Sequence, residues 1–167
     1  MTPGELAEAL RTANRGDVVE SRNEVTLVVD RSDLFDVLGS LRDDGTLGLD
    51  SLSDIAATDW PGRDPRLWVA YHMYSTAHRH RLRVKVGLNE DDPHVPSVTE
   101  MFPTADWLER EVFDFFGVIF DDHPDLRRIE LPESWTTFPL RKDHALEGVA
   151  VRYTGGAFIP PPDQRDT

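Results

Sequence analysis

Positions 106 to 143 hold a dense set of side chains able to do chemistry: Asp106, Glu109, Arg110, Glu111, Asp114, His123, Asp125, Arg127, Arg128, Arg141, Lys142 and Asp143. Carboxylates and a histidine are the usual groups of general acid–base catalysis. Arginines grip carboxylates through two parallel hydrogen bonds. Spacing argues against the catalytic use. Glu109 and Glu111 stand two residues apart, so on a helix they diverge by about 200° and do not face each other. His123 and Asp125 flank Pro124 and would suit a stand-alone hydrolase using His123 with Asp125 or Glu111, yet no Gly-x-Ser-x-Gly or other nucleophile motif accompanies them. A His123 that fixes a turn by donating to a backbone carbonyl asks less of the sequence. His78 and His80 at i, i+2 would share one face of a hairpin and could chelate a metal, but no third ligand follows at motif spacing.

The element that must position these groups is a helix around Trp107. Thr104 is the expected N-cap, its hydroxyl accepting a free amide of the first turn. Trp107, Leu108, Val112, Phe115 and Phe116 recur at helical spacing, with Glu109, Arg110 and Asp114 off that stripe. Arg110 lies four residues from both Asp106 and Asp114, within pairing reach of each. Gly117 supplies a left-handed stop. Beyond it, Val118–Phe120 is a short apolar run, and Asp121-Asp122-His123-Pro124 favours a turn because Pro124 bars the preceding residue from helical geometry. Asp125-Leu126-Arg127-Arg128 and Pro139-Leu140-Arg141-Lys142-Asp143 follow with no repeating period. Such a run has no regular face to bury, so it is expected to lie as an arm against something else. Arginine and aromatics are favoured at protein–protein interfaces. Of the two adjacent arginines, one is expected to fold back to Glu111 or Asp114 and the other to face outward, since neighbours in extended chain point to opposite sides.

Upstream, Thr2-Pro3-Gly4-Glu5 carries a capping-box pattern with Pro at the first helical position, and Leu6, Ala9, Leu10 and Ala13 form an apolar face that Gly16 ends. Glu24–Asp30 is strand-like. Asp30 or Ser32 caps a second helix striped by Leu34, Phe35, Leu38 and Leu41, closing near Gly45. Leu47–Trp60 reads as a strand, and Pro61-Gly62-Arg63-Asp64-Pro65 as a loop. Leu67–Ser75 and His80–Leu88 form a hairpin, the second run alternating strictly. Asp91–Val98 reads as a loop, and Pro160-Pro161-Pro162 as part of a frayed tail. The order predicts an α+β fold, helices packed on a mostly antiparallel or mixed sheet, with an extended irregular C-terminal arm. Residues 1–120 make the compact domain and 121–167 the partner-binding arm and tail.

Composition narrows the function classes. A net charge of −13 over 167 residues disfavours nucleic acid, which needs a basic face, and attraction to an anionic membrane surface. Zero cysteine removes disulfides, thiolate nucleophiles and cysteine-ligated iron–sulfur clusters together. No Gly-rich phosphate loop follows a strand. The N-terminal residues lack the cationic and apolar regions of a signal peptide, and no apolar run is long enough to span a bilayer.

The residues now converge on a family. Glu109-Arg110-Glu111, Asp114 and Gly117, then His123-Pro124-Asp125-Leu126-Arg127-Arg128, then Pro139-Leu140-Arg141-Lys142-Asp143 closely resemble, in order and spacing, the signature of the C subunit of respiratory complex I. That is the small hydrophilic subunit of NADH-quinone oxidoreductase. Asp122 stands where the family usually has Gly; Thr137, His144 and Ala145 replace Gly, an aromatic and Pro around the second block. Aspartate tolerates left-handed backbone better than most residues, so the turn is expected to survive. The resemblance implies a non-catalytic subunit of the peripheral arm, on the cytoplasmic side of the cell membrane. It implies the D subunit of complex I as the partner, with the B and I subunits nearby, and no cofactor in this chain; FMN, iron–sulfur clusters and quinone belong to partner subunits. Arg127, Arg128, Arg141 and Lys142 are the expected partner contacts. An equivalent scaffold in a complex-I-like membrane hydrogenase or ferredoxin-fed complex shares the signature.

Overall fold

The computed structural model describes residues 1–144. The chain opens with α1 (Pro3–Thr12), whose capping box forms as the sequence predicts: Thr2 Oγ1 accepts the Glu5 amide and Glu5 accepts the Thr2 amide. Its buried face is Leu6, Ala7 and Leu10, so Ala7 rather than Ala13 completes the stripe. A hairpin of β1 (Asp17–Ser21) and β2 (Glu24–Val29) follows. Its β1 strand escapes a sequence reading because its residues are almost all exposed and the turn is Arg22-Asn23. Both turn residues have positive φ, a geometry usually signalled by glycine. Next comes α2 (Leu34–Asp43), burying Leu34, Leu38 and Leu41. It starts after Asp33, which makes no side-chain cap bond, so neither Asp30 nor Ser32 caps it.

Then come β3 (Ser51–Asp59), β4 (Leu67–Tyr74) and β5 (Arg81–Leu88). The sheet runs β1-β2-β5-β4-β3, antiparallel except for the parallel β2–β5 pair. In β5 the predicted alternation holds residue by residue, and β4 shares it: Leu67, Val69, Tyr71 and Met73 face Leu88, Val86, Val84 and Leu82 on one buried face. In β3 it does not. A register shift between Leu52 and Asp54 buries Leu52 and Ile55, three residues apart. The buried sheet face and the helices share one hydrophobic core.

The last elements frame the site. Within the predicted Asp91–Val98 loop, β6 (His94–Pro96) forms a short strand parallel to β7 (Ile119–Asp121), and α3 (Ala105–Phe116) lies between them in sequence. Gly117 ends α3 in the left-handed region at φ 72°, as expected. Thr104 makes no side-chain cap bond, and the first-turn amides of Ala105 and Asp106 go instead to the Phe102 and Pro103 carbonyls. Asp122 takes the left-handed turn at φ 63°, in place of glycine. The arm from 122 to 144 has no helix or strand; Ala145 and the Pro160–Pro162 tail lie outside the described residues.

Candidate functional site

The inward face of α3 carries ionic groups beside its apolar ones: Val112, Leu108 and Phe116 of the expected stripe pack on the core, but Trp107 does not. Ala105, Glu109, Arg110, Val112 and Asp114 are buried, while Trp107 is 62% exposed. The cause lies in what α3 packs against. It is flanked by two irregular segments, and irregular backbone leaves amides without ladder partners, which must find acceptors when buried. Carboxylates on the helix provide them.

Glu109 serves the segment before the helix. Its Oε1 accepts the Val98 amide at 2.7 Å and its Oε2 the Ser97 hydroxyl at 2.7 Å. Burial pushes its carboxyl up to about 7, against the pull of those two donors, with the nearby Asp106 charge adding to the rise. The same burial raises the Tyr71 hydroxyl well above its usual range, and the Glu109 charge adds to it.

Asp114 serves the arm. One oxygen accepts the amides of Ile129, Glu130 and Leu131 at 3.1, 2.8 and 2.9 Å; the other accepts Arg128 Nη1 at 2.7 Å. Burial works to raise this carboxyl, but the Leu131 amide, the Arg128 guanidinium and the other two amides together hold it below the usual range. Arg128 also reaches the Asp114 and Thr137 carbonyls. Arg127 turns the other way, 65% exposed and paired with Asp125 at 2.9 Å. The two arginines therefore diverge, with Asp114 rather than the exposed Glu111 as the inward partner. Arg110 pairs with neither Asp106 nor Asp114: its Nε donates to the Arg127 carbonyl at 3.3 Å and its guanidinium stacks 4.8 Å from the Trp107 ring.

The second block of the arm closes the other end of the helix. A helix leaves its last carbonyls without intrahelical donors. The Leu140 amide donates to the Phe115 carbonyl at 3.2 Å and Arg141 Nε to the Phe116 carbonyl at 2.6 Å. Phe138 lies over Gly117, edge-on to Phe113, with the guanidiniums of Arg128 and Arg141 5.2 and 5.1 Å from its ring. Beyond Pro139, the Lys142 amide donates to buried Asp59 Oδ2 at 2.7 Å. Arg66 holds Asp59 in a two-pronged pair and also meets Glu90 and Asp143. The Arg66 bonds, against burial, hold the Asp59 carboxyl below its usual range.

His123 behaves as the turn-fixing reading expects, its Nε2 3.2 Å from the Asp106 carbonyl. Its link to Asp125 runs through that residue's amide, which donates to Nδ1 at 3.0 Å, while the Asp125 carboxylate faces Arg127. Leu126 packs against the core, and Pro124 is exposed in the turn. His78 and His80 stack at 5.9 Å, His78 against the Gly45 carbonyl, and no group of three ligating side chains assembles among the described residues.

Sequence reasoning placed the two blocks together but missed their receivers. Ser97, Asp59, Arg66 and Phe138 complete the site. Only Phe138, an aromatic beside Pro139 and near two arginines, carried a signal; the others are isolated polar residues near strand ends or in a loop.

A profile of the "Respiratory-chain NADH dehydrogenase, 30 Kd subunit" family matches residues 27–150. The NADH-quinone oxidoreductase C subunit of Saccharopolyspora erythraea is 47% identical over 149 residues, covering 89% of this chain and 59% of that protein. The corresponding Mycolicibacterium gilvum subunit is also 47% identical over 149 residues, covering 89% of this chain and 66% of its own length. The chain thus spans about 59–66% of these relatives. A solved trypsin-resistant fragment (1–134) of Nqo5 superposes with a TM-score of 0.66 at 28% identity, covering 75% of this chain and all of the fragment. A chain from a membrane-bound sulfane sulfur reductase, described as an archaeal respiratory membrane complex, has a TM-score of 0.66 over 93% of this chain and 98% of its own; at 19% identity it shares the fold. No helix among the described residues is long and apolar enough to cross a membrane. Matched across most of its length by profile, sequence and structure, the chain belongs to the respiratory-chain NADH dehydrogenase 30 Kd subunit family, that of the NADH-quinone oxidoreductase C subunit.

Proposed function

We propose that this chain is a non-catalytic structural subunit of the peripheral arm of proton-translocating NADH:quinone oxidoreductase. In this reading it docks on the D subunit of complex I in the connecting module near the quinone site, with the B and I subunits adjacent, on the cytoplasmic side of the membrane. FMN, iron–sulfur clusters and quinone reside in those and other partners. One observation carries the reading beyond family membership: Glu109, Asp114 and Asp59, the buried carboxylates of the site, are each occupied by backbone amides. A carboxylate engaged in this way braces backbone, which supports a structural role. The outward side chains of the same motif, Arg127 and Lys142, are exposed and available to a neighbour.

The test is recovery of the tagged chain from membranes. The B, D and I subunits should come with it, and NADH:quinone activity should follow the recovered assembly. The purified chain should turn over neither NADH nor ester and phosphate substrates. Recovery of the chain alone, or hydrolysis lost in His123→Ala, would overturn the proposal.

A further inference from the structure

The turn that launches the arm hangs on one imidazole whose protonation its neighbours fix. The His123 ring is fully buried. Its Nδ1 accepts the Asp125 amide at 3.0 Å and so carries no proton. The proton sits on Nε2, where it is donated to the Asp106 carbonyl at 3.2 Å. Both nitrogens are thereby assigned to a neutral ring.

A second proton has only Nδ1 to occupy. There it would face the Asp125 N–H, donor against donor, and that bond must break. The opposite side of the ring, by contrast, is prepared for positive charge. Nε2 lies 3.4 Å from Asp106 Oδ1, a buried oxygen with no hydrogen-bond partner, and 3.9 Å from Glu109 Oε2. We propose that His123 is a proton-operated latch: protonating Nδ1 ejects the Asp125 amide and loosens the start of the arm, while the Asp106 carboxylate holds the imidazolium in place.

The remaining charged and titratable groups around it leave Nδ1 alone. From β4, the buried Tyr71 hydroxyl stands near Glu109. In the segment before α3, Ser97 holds Glu109. On the helix, Arg110 is engaged by the Arg127 carbonyl and the Trp107 ring. On the arm, the Asp125 carboxylate is paired with Arg127. The inference goes beyond the structural role proposed above and does not rest on it, because this chain supplies every atom involved.

The test uses the full chain. Ring-nitrogen NMR at about pH 8 should find Nε2 protonated and Nδ1 an unprotonated acceptor. On acidification the same spectra report the point at which Nδ1 gains a proton. In step, the Asp125 amide, corrected for intrinsic exchange, should open about five- to tenfold more often, the loss of one hydrogen bond. The amides of Ile129–Leu131, held by Asp114, serve as the internal reference. In His123→Asn the side-chain oxygen can accept the amide two residues on, as in an Asx turn, without titrating; Asp125 opening should then be flat with pH. Nδ1 found protonated at the higher pH overturns the latch. So does Asp125 opening that ignores Nδ1 titration, or an asparagine variant with the wild-type pH dependence. Should that variant not fold, the two wild-type readouts decide.

Discussion

The Asp114 carboxylate and the Arg128 guanidinium meet at 2.7 Å, the carboxylate fully buried and the arginine 12% exposed, and this pair ties the helix to the arm. The other Asp114 oxygen collects three consecutive arm amides, so the pair is one edge of a cluster of five hydrogen bonds that includes the Arg128 bond to the Asp114 carbonyl. Removing one partner of a buried, hydrogen-bonded charge strands the rest. Asp114→Ala is expected to cost about 3–5 kcal/mol of chain stability. Arg128→Lys, which loses the planar fork, should cost about 1–3 kcal/mol. Arg127→Ala should stay within about 0.5 kcal/mol, because its pair with Asp125 is exposed. Urea melts of the three variants check this ordering, and equal melts for Arg127→Ala and Arg128→Lys would contradict it.

Amide exchange reads the same cluster directly. From sequence the arm is expected to stay open until a partner holds it, since it has no periodic apolar face. Instead its amides at Ile129, Glu130, Leu131, Leu140 and Lys142 all find acceptors within the chain. These five should be protected in the isolated protein, with Glu133 and Ser134 between them exchanging fast. In Asp114→Ala, protection at 129–131 should fall by at least tenfold, as loss of about 1.4 kcal/mol or more implies.

What was legible in the sequence follows from period and local chemistry. The β4–β5 hairpin, the Thr2–Glu5 capping box and the Gly117 stop are written in neighbouring residues, and each stands where expected. The inward face of α3 is not. A hydrophobic stripe predicts burial only when the surroundings are apolar, and here α3 meets the Ser97 hydroxyl and the amides of Val98 and 129–131, so Glu109 and Asp114 are buried while Trp107 is not. The divergence of Arg127 and Arg128 could be read from extended-chain geometry alone. The Asp59–Lys142 bond could not, because 83 residues separate the partners and neither has a local signal.

Gly117 joins two demands at one position. Its φ of 72° is a conformation that residues with a Cβ adopt at a cost. A Cβ built there would also lie 2.5 Å from the Phe138 ring. Gly117→Ala should therefore destabilise the chain by about 1–2 kcal/mol from backbone strain and more from displacing the ring. The displacement has its own signature. Phe138 shifts should move in NMR spectra, and the Leu140 amide, bonded to the Phe115 carbonyl, should lose protection. A Gly117→Ala protein with wild-type melting and unmoved Phe138 would mean the arm does not rest on the helix terminus.

Glu109 makes the stability of this chain depend on pH in an unusual direction. Its carboxyl ordinarily titrates at 4.5 and is raised to about 7 here, burial being the main cause. The folded protein therefore holds a proton that the unfolded chain has released between those values. Its contribution is fully present below 4.5 and is lost as the pH rises through about 7. The full span corresponds to about 3–4 kcal/mol. Asp59 and Asp114 work oppositely: their carboxyls are lowered, so their contributions persist at neutral pH and fail only in acid. Between about pH 5 and 7.5 the Glu109 contribution should thus dominate the difference between wild type and Glu109→Gln. Glutamine keeps an oxygen for the Val98 amide but cannot ionise. Urea unfolding across this range should show wild type losing stability relative to the variant as the pH rises. A difference that stays constant with pH would mean Glu109 is ionised throughout and is held in the interior by Ser97 and Val98 alone.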